Sequence, residues 1–260
     1  MSSFSFVGLR RPAIILAALG ASLAGTAAQA DTYNLNVQYY TVTPGGDFGT
    51  QCCSNSTNLV KPQLGPNGLP VYNPSASNGG FVLTDLDANG ELTWWSPTLN
   101  SRVTASGTGT ISTPVDDASF YPPDGSGTSD ANGFLTAIFS GVMTLPIDET
   151  VSFTFGGDDD MFLYVDGQIV GQLGGVHGFT SATPTTALLS AGDHTFTAFY
   201  ADRAQTGAQT YFSINTEGLT VVPGVPEPSS WALMLLGFGA IGGAARYRRS
   251  RVAASTPRLG

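Results

Sequence analysis

The sequence FGGDDDMFLYVDG, residues 155–167, decides the fold. Met161 to Val165 is apolar at every position, which is typical of a central strand with both faces covered. Asp166 and Gly167 both tolerate the positive φ of a type I′ turn, so they are expected to close a hairpin. The stretch therefore predicts two antiparallel strands, the second of which runs from Gln168 to Leu173.

The flanking sequence continues the β pattern. No long stretch between the two ends of the chain has helical periodicity, and short apolar runs alternate with turn residues. Val151, Phe153 and Phe155 alternate with polar residues, as in a half-buried strand. Further strands are predicted at Tyr33–Val42, Leu135–Leu145, His194–Tyr200 and Gln209–Asn215. The pattern predicts an all-β fold, an antiparallel β-sandwich.

Two segments lack this pattern. Residues 31–78 begin with a predicted strand and then become rich in Gly, Pro and Asn, which indicates an irregular N-terminal segment. Residues 104–130 are rich in Gly, Ser, Thr and Asp, which favours a long loop on the sandwich. Of the neighbours Trp94 and Trp95, we expect one in the core and the other exposed.

The N-terminus has the features of a secretory signal. Arg10 and Arg11 precede an apolar run, Ala13 to Leu23, and Ala28-Gln29-Ala30 offers a small-residue cleavage site. Residues 1–30 are therefore predicted to form a removable signal helix, with the mature chain beginning at Asp31.

The C-terminus combines Val225-Pro226-Glu227-Pro228, an uncharged run from Ser229 to Ala245, and the basic cluster Arg246-Tyr247-Arg248-Arg249. At about 1.5 Å per residue the run spans roughly 25 Å, enough for a single transmembrane helix over 229–245, with residues 251–260 as a cytoplasmic tail. The order of these parts, over residues 225–250, resembles the PEP-CTERM sorting signal of Gram-negative bacteria. The resemblance implies transient anchoring in the inner membrane and cleavage near Pro226-Glu227-Pro228 by an exosortase-type membrane protease. The alternative is a permanent anchor.

The region between the two ends is strongly acidic. From residue 31 to 225 it holds three basic residues, Lys61, Arg102 and Arg203, against eighteen acidic ones, a formal balance of 3 − 18 = −15. Binding to nucleic acid requires clustered Lys and Arg, so nucleic acid is excluded as a partner. An acidic surface suits divalent cations and keeps an exported protein soluble.

The two cysteines, Cys52 and Cys53, are adjacent. In an oxidising compartment they could form a vicinal disulfide, or one could bond a second chain. Two cysteines alone do not make a zinc site.

Two acidic stretches are candidates for calcium. Asp158 to Asp160 are three successive carboxylates, which are costly together unless water or a cation offsets their charge. On composition alone, the alternative to a calcium site is an acidic turn that is solvated and binds no cation. The second stretch, DLDANGE at residues 85–91, has ligand-like spacing, but Ser96 stands where an EF-hand has its bidentate Glu. A tight turn between strands is the better interpretation there.

Several short motifs occur in a fixed order: GDDD at 157–160, the Asp-Gly hairpin at 166–167, LGGVHG at 173–178 and FYADR at 199–203. Together they resemble the fibro-slime domain, which is related to protective-antigen-type lectin-like domains. The resemblance covers about residues 79–216. It implies a lectin-like sandwich domain over residues 79–220, with calcium held between two loops.

The resemblance also implies site residues. The aspartate pair that chelates calcium, joined by a cis peptide, falls on Asp158 and Asp159, and a further ligand falls on Asp202. Asp160, His177 and Arg203 are the candidate ligand-binding residues. For His177 the favoured alternative is a role in holding its loop. For Arg203 it is an ion pair with the aspartate cluster or with Asp166.

An enzyme is not predicted, because the sequence has no nucleophile elbow, no metal-binding histidine pair and no phosphate loop. Two classes remain. One is a calcium-dependent carbohydrate-binding or adhesion module at the cell surface or in the extracellular matrix, where it would bind an extracellular polysaccharide or cell-surface glycan. The other is a structural surface protein in which calcium only stiffens a loop.

Overall fold

The structure is a computed structural model, and it describes residues 31–49, 54–118, 120, 134–204 and 207–224. The signal helix, the transmembrane helix, both cysteines and the processing residues predicted above lie outside these ranges. None of the described residues belongs to a helix with the length and hydropathy of a membrane span.

The described residues form thirteen β-strands. In chain order these are β1 (Asn34–Val42), β2 (Val60–Leu64), β3 (Pro70–Tyr72), β4 (Val103–Ser112), β5 (Val115–Asp117), β6 (Phe134–Leu145), β7 (Phe153–Gly157), β8 (Asp160–Val165), β9 (Gln168–Leu173), β10 (Thr180–Ala182), β11 (Gly192–Ala201), β12 (Thr210–Ile214) and β13 (Thr220–Pro223). The all-β prediction is confirmed, and each strand predicted from alternation lies within two residues of an observed one.

Two antiparallel sheets form a sandwich. The larger sheet has the order β3-β2-β9-β8-β11-β6-β1-β4, and β13 also pairs with β6. The smaller sheet has the order β10-β7-β12-β5. The predicted hairpin joins β8 to β9, and Asp166 and Gly167 have φ values of 49° and 72°, as a type I′ turn requires.

The strand β8 explains why residues 161–165 are apolar throughout. Met161, Leu163 and Val165 point into the core between the two sheets. Phe162 and Tyr164 point to the opposite face, where a second core of buried residues lies. Since side chains alternate along a strand, β8 contributes to both cores at once.

The two cores differ in what covers the larger sheet. The core between the sheets contains phenylalanines from both, and Phe212 stacks on Phe139 and Phe196 at 6.2 and 6.0 Å between ring centroids. The second core is covered by loop residues, including Phe48, Trp94 and Trp95. Both tryptophans are buried, at 0% and 2% exposed, so the expectation that one is exposed is wrong. The layer of loops over the second core covers the indole ring that was expected to be exposed.

Two further predictions are corrected. The segment 31–78 contains more strand than predicted, since β1 lies between β4 and β6 in the larger sheet, and β2 and β3 extend its other edge. Residues 104–117 are not a loop, because β4 pairs with β1 from Val103 to Ser112 and β5 pairs with β12. The strand β4 is an edge strand whose side chains are mostly exposed, so its sequence carries no apolar alternation.

Candidate functional site

Three loops meet at one end of the sandwich, and the carboxylate of Asp159 joins them. Its Oδ1 accepts the backbone N–H of His177 at 2.8 Å, from the β9–β10 loop. Its Oδ2 accepts the backbone N–H groups of Arg203 at 2.7 Å and Ala204 at 2.9 Å, from the β11–β12 loop. Asp159 itself, in the β7–β8 connection, is fully buried. A carboxylate accepts about four hydrogen bonds, and three are made here.

The other two predicted metal ligands lie beside this junction. The peptide bond between Asp158 and Asp159 is cis, as predicted for the pair. The partly exposed side chain of Asp158 faces Gly207, where an added Cβ would lie 2.7 Å from Asp158 Oδ2. Asp202 is 1% exposed, and its N–H donates to Leu135 O at 2.9 Å. Within the described ranges, no three His, Cys, Asp or Glu side chains form a group that could hold a metal by themselves.

Arg203 forms the ion pair that was favoured for it. Its Nε donates to Asp160 Oδ2 at 2.6 Å and its Nη2 to Asp160 Oδ1 at 3.1 Å, and both side chains are 0% exposed. The guanidinium carbon lies 4.6 Å from the ring centroid of Trp94, a cation–π contact. Asp160 and Arg203 are thus enclosed and bound to each other.

The charges at this junction do not balance. Burial raises the pKa of Asp159 to about 7, the charge of Asp160 adds to the rise, and the N–H and charge of Arg203 oppose it. Burial alone would lower the pKa of Arg203, but Asp160 and, less strongly, Asp159 and Asp47 raise it overall. One buried guanidinium therefore faces three carboxylates, which leaves a local excess of negative charge when all are ionised.

His177 lies in a loop held mainly by its backbone. Its imidazole is partly exposed, and Nδ1 lies 2.9 Å from Gly178 O, so Nδ1 is the donor there. Gly175 N donates to Asp160 Oδ1 at 2.7 Å, which fixes the same loop from the other side. The ring of His177 is consequently available at the rim.

Residues in the N-terminal part of the chain support the loop that carries His177. The sequence did not indicate this support. Ser54 N donates to Val176 O at 2.9 Å, and Ser54 Oγ accepts from Val176 N at 3.2 Å and donates to Asn78 Oδ1 at 2.9 Å. The Ser54–Val176 contacts span 122 residues of sequence and the Ser54–Asn78 contact spans 24. No local pattern around Ser54 or Asn78 could have indicated them.

Asp47 is a second missed residue. It is 0% exposed, its Oδ1 accepts from Thr84 N at 2.8 Å, and its Oδ2 accepts from Trp94 Nε1 at 2.9 Å and Asp85 N at 3.1 Å. Trp94 in turn contacts Arg203. The layer of loops over the second core is therefore linked to the loop junction through the indole ring of Trp94.

Phe179 is the exposed aromatic residue nearest to the junction along its loop. It is 38% exposed, and an added Cβ on Gly156 would lie 2.8 Å from its ring. Its position between His177 and β10 gives the rim an apolar surface beside a polar one. Phe179 directly follows the LGGVHG motif, and that proximity was the available signal.

The remaining predicted residues are accounted for as follows. The 85–91 stretch is a tight turn, as expected, in which Asp87 Oδ1 accepts the N–H groups of Asn89 and Glu91, both at 2.8 Å. His194, at the start of β11, is 9% exposed. Both of its ring nitrogens face acceptors, with Nδ1 2.6 Å from Asp166 Oδ2 and Nε2 2.8 Å from Ser190 O.

The two-sheet architecture defines a class, the antiparallel β-sandwich. The PA14 domain family matches residues 93–223, about half of the chain, and the chain belongs to this family. The PEP-CTERM protein-sorting motif matches residues 224–249, which confirms the sorting signal. This motif indicates export and membrane-anchored sorting in bacteria and implies processing by an exosortase-type system. No curated protein sequence matches the chain.

Several solved structures are similar to this chain at low identity. The PA14 sugar-binding domain from an RTX adhesin is 14% identical, with 73% of this chain and 94% of that one covered and a TM-score of 0.34. The epithelial adhesin 9 A domain from Candida glabrata, in complex with Galβ1-4GlcNAc, is 12% identical, with 72% and 85% covered and a TM-score of 0.35. The β-glucosidase from Kluyveromyces marxianus, in complex with glucose, is 12% identical, with 75% and 17% covered and a TM-score of 0.33.

Proposed function

We propose that this chain is an exported carbohydrate-binding or adhesion protein of a Gram-negative cell surface or matrix, and that its loop end binds glycan with calcium. The observation that carries the proposal is the convergence of three loops on buried Asp159, with more carboxylates than cations. The likeness to fibro-slime domains stays a prediction that points the same way.

The residues present fit a calcium ion in their chemistry. Asp158, Asp159 and Asp202 offer hard oxygen atoms, and one acceptor position of Asp159 receives no N–H group from the described residues. Calcium takes about six to eight oxygens, so main-chain carbonyls or water would complete the set. A divalent cation would also offset the excess negative charge beside Arg203.

The glycan would contact the rim of the loops. His177 and Phe179 are the side chains with exposed polar and apolar surface there. Aromatic rings stack on the apolar faces of sugars, and carboxylates and imidazoles accept bonds from sugar hydroxyls. Asp160 and Arg203 would act by holding the loops, since both are enclosed.

Calcium binding is tested by thermal unfolding of the exported protein with calcium and with chelator, using Asp158→Asn and the control Asp116→Asn. Asp116 is an exposed carboxylate on the short edge strand β5. We expect calcium to raise the midpoint of the parent protein and the control, and to have little effect on Asp158→Asn. Equal midpoints for the parent protein with calcium and with chelator would refute the metal. Asp159→Ala is unsuitable, because it also removes three loop hydrogen bonds.

A second function is favoured by one observation, the closed network of Asp159, Asp160 and Arg203. Such a network can stiffen the loops of a structural surface protein without any glycan. A glycan array with and without chelator separates the two functions. Binding that requires calcium supports the first function. Calcium-dependent stability with no glycan signal supports the second.

We also propose that the chain is not catalytic. The sequence lacks the nucleophile and phosphate-binding motifs noted above. Release of product from a panel of chromogenic glycosides, lost in Asp158→Asn, would contradict this.

A further inference from the structure

The last described strand, β13, is held on the sandwich by few contacts. It pairs with β6 from Thr220 opposite Thr144 to Pro223 opposite Gly141, on the edge of β6 where β1 stops. Its residues are mostly exposed, and Val222 is 48% exposed. Local opening of proteins is easiest where few apolar groups are buried, so β13 belongs to the low-stability part of the fold.

Two contacts fix the ends of this strand. Leu219, which precedes β13, is 6% exposed and belongs to the core between the sheets. Asn36 Nδ2 donates to Gly224 O, directly after the strand. The side chain of Asn36 therefore fastens the last described residue of the sandwich to β1.

The sorting signal begins where this strand ends. The PEP-CTERM match starts at residue 224, and the uncharged run starts at Ser229, five residues later. Five residues reach at most about 18 Å. If the uncharged run spans the membrane as the sequence predicts, a docked β13 leaves at most this length of chain between the sandwich and the membrane, and Pro226 follows the end of β13 by only three residues.

We propose that β13 is a releasable strand, and that it must leave β6 before the membrane protease can cut the sorting signal. Release frees the five residues from Thr220 to Gly224, which adds at most about 18 Å of reach, while Leu219 keeps its place in the core. Proteolysis of a transiently opened segment follows the population of the open form. The proposal rests on the sorting motif and on β13, and it is independent of calcium and glycan binding.

The test uses the full chain in a host that has an exosortase-type protease, with the processing half-life followed by pulse-chase. Asn36→Ala removes the bond to Gly224 and should shorten the half-life about two- to tenfold, the effect of one hydrogen bond. The control is Asn34→Ala, on the same strand, whose side chain bonds to Ser112 instead. It should leave the half-life unchanged.

Six Gly and Ser residues inserted after Gly224 add roughly 20 Å of chain and leave the sandwich intact. Processing of this variant should be faster than that of the parent protein and no longer sensitive to Asn36→Ala. Unchanged half-lives in both the insertion and the Asn36→Ala variants would overturn the proposal. No cleavage of any variant would overturn the processing by an exosortase-type system as well, which distinguishes the two failures.

A covalent lock gives the converse measurement. Val142 and Val222 are cross-strand partners, so cysteines at both positions lie within disulfide range. With Cys52 and Cys53 replaced by Ser, the oxidised form should be cut more slowly than the reduced form. With the insertion present, the oxidised and reduced forms should be cut at the same rate. Equal rates for the two forms without the insertion would refute the requirement for release.

Discussion

Replacing Arg203 by Met removes the buried guanidinium at the loop junction and keeps an apolar chain of similar length. The carboxylate of Asp160 then stays buried without its two bonds from Arg203. Asp160 Oδ1 keeps only the N–H of Gly175 as a described donor. The cation–π contact with Trp94 is lost as well.

The size of the effect follows from complete burial. Both partners are 0% exposed, so solvent cannot screen the pair or replace the lost bonds. Removing one partner of a buried pair costs about 3–5 kcal/mol. In a domain of this size each kcal/mol corresponds to about 2–4 °C, so the unfolding midpoint should fall by roughly 6–20 °C.

The assay is chemical and thermal unfolding of the exported protein at about pH 7, together with Asp160→Asn and the double variant. The double variant should cost at least about 2 kcal/mol less than the sum of the two single variants, since neither charge is left alone. Arg102→Met is the matched control. Arg102 pairs with Asp85, and their side chains are 33% and 8% exposed; because Arg102 reaches solvent and Asp85 keeps the N–H of Asp47, the loss of Arg102 should cost less than that of Arg203, about 1–2 kcal/mol.

An equal effect of Arg203→Met and Arg102→Met would refute the reasoning, as would strict additivity of Arg203→Met and Asp160→Asn. Either result would mean that the buried pair adds nothing specific to the junction. The loops would then be held by the backbone bonds to Asp159 alone.

Further predictions concern the β8–β9 hairpin and β11. Both ring nitrogens of His194 face acceptors, so the bond to Asp166 raises its pKa and the imidazolium is favoured in the fold. This stabilisation is complete below the ordinary pKa of His and is lost as the pH rises through the raised value. The unfolding midpoint of the parent protein should therefore lie above that of Asp166→Asn by a larger margin at about pH 5 than at about pH 9. An equal margin at the two pH values would contradict this prediction. Gly171→Ala should cost about 1–3 kcal/mol, because its Cβ would lie 2.7 Å from the Phe155 ring. Gly167→Ala has open space but a φ of +72°, so it should cost about 1–2 kcal/mol from backbone strain alone. In a Phe155→Leu background, Gly171→Ala should cost less than in the parent protein, whereas the cost of Gly167→Ala should be unchanged, as measured by denaturant titration.

The strands that bury one or both faces were predictable, because burial imposes a period of two or a continuous apolar run. This holds for β7, β8 and β11. The edge strand β4 was not predictable. Its pattern is mostly exposed, and its pairing with β1 depends on backbone bonds that any residue can make.

The residues of the site likewise divide into those that the sequence indicated and those that it did not. The cis bond between Asp158 and Asp159 was implied by the family resemblance, and no feature of charge or spacing alone indicated it. The ion pair of Arg203 followed from charge, because it is one of very few cations in an acidic chain. Ser54, Asn78 and Asp47 could not be found, since their roles arise only when distant segments meet.

The unit that carries the site is larger than the motifs indicate. The motifs begin near residue 79, but β1 is an inner strand whose removal would expose the edges of both β4 and β6. Asp47 and Phe48 belong to the layer that encloses Trp94, and Trp94 contacts Arg203. Because Arg203 also fixes the loop that carries Asp202, the N-terminal residues act on the loop end through one continuous set of contacts. A fragment that starts at residue 79 would keep every motif of the site and lose the structure that holds them together.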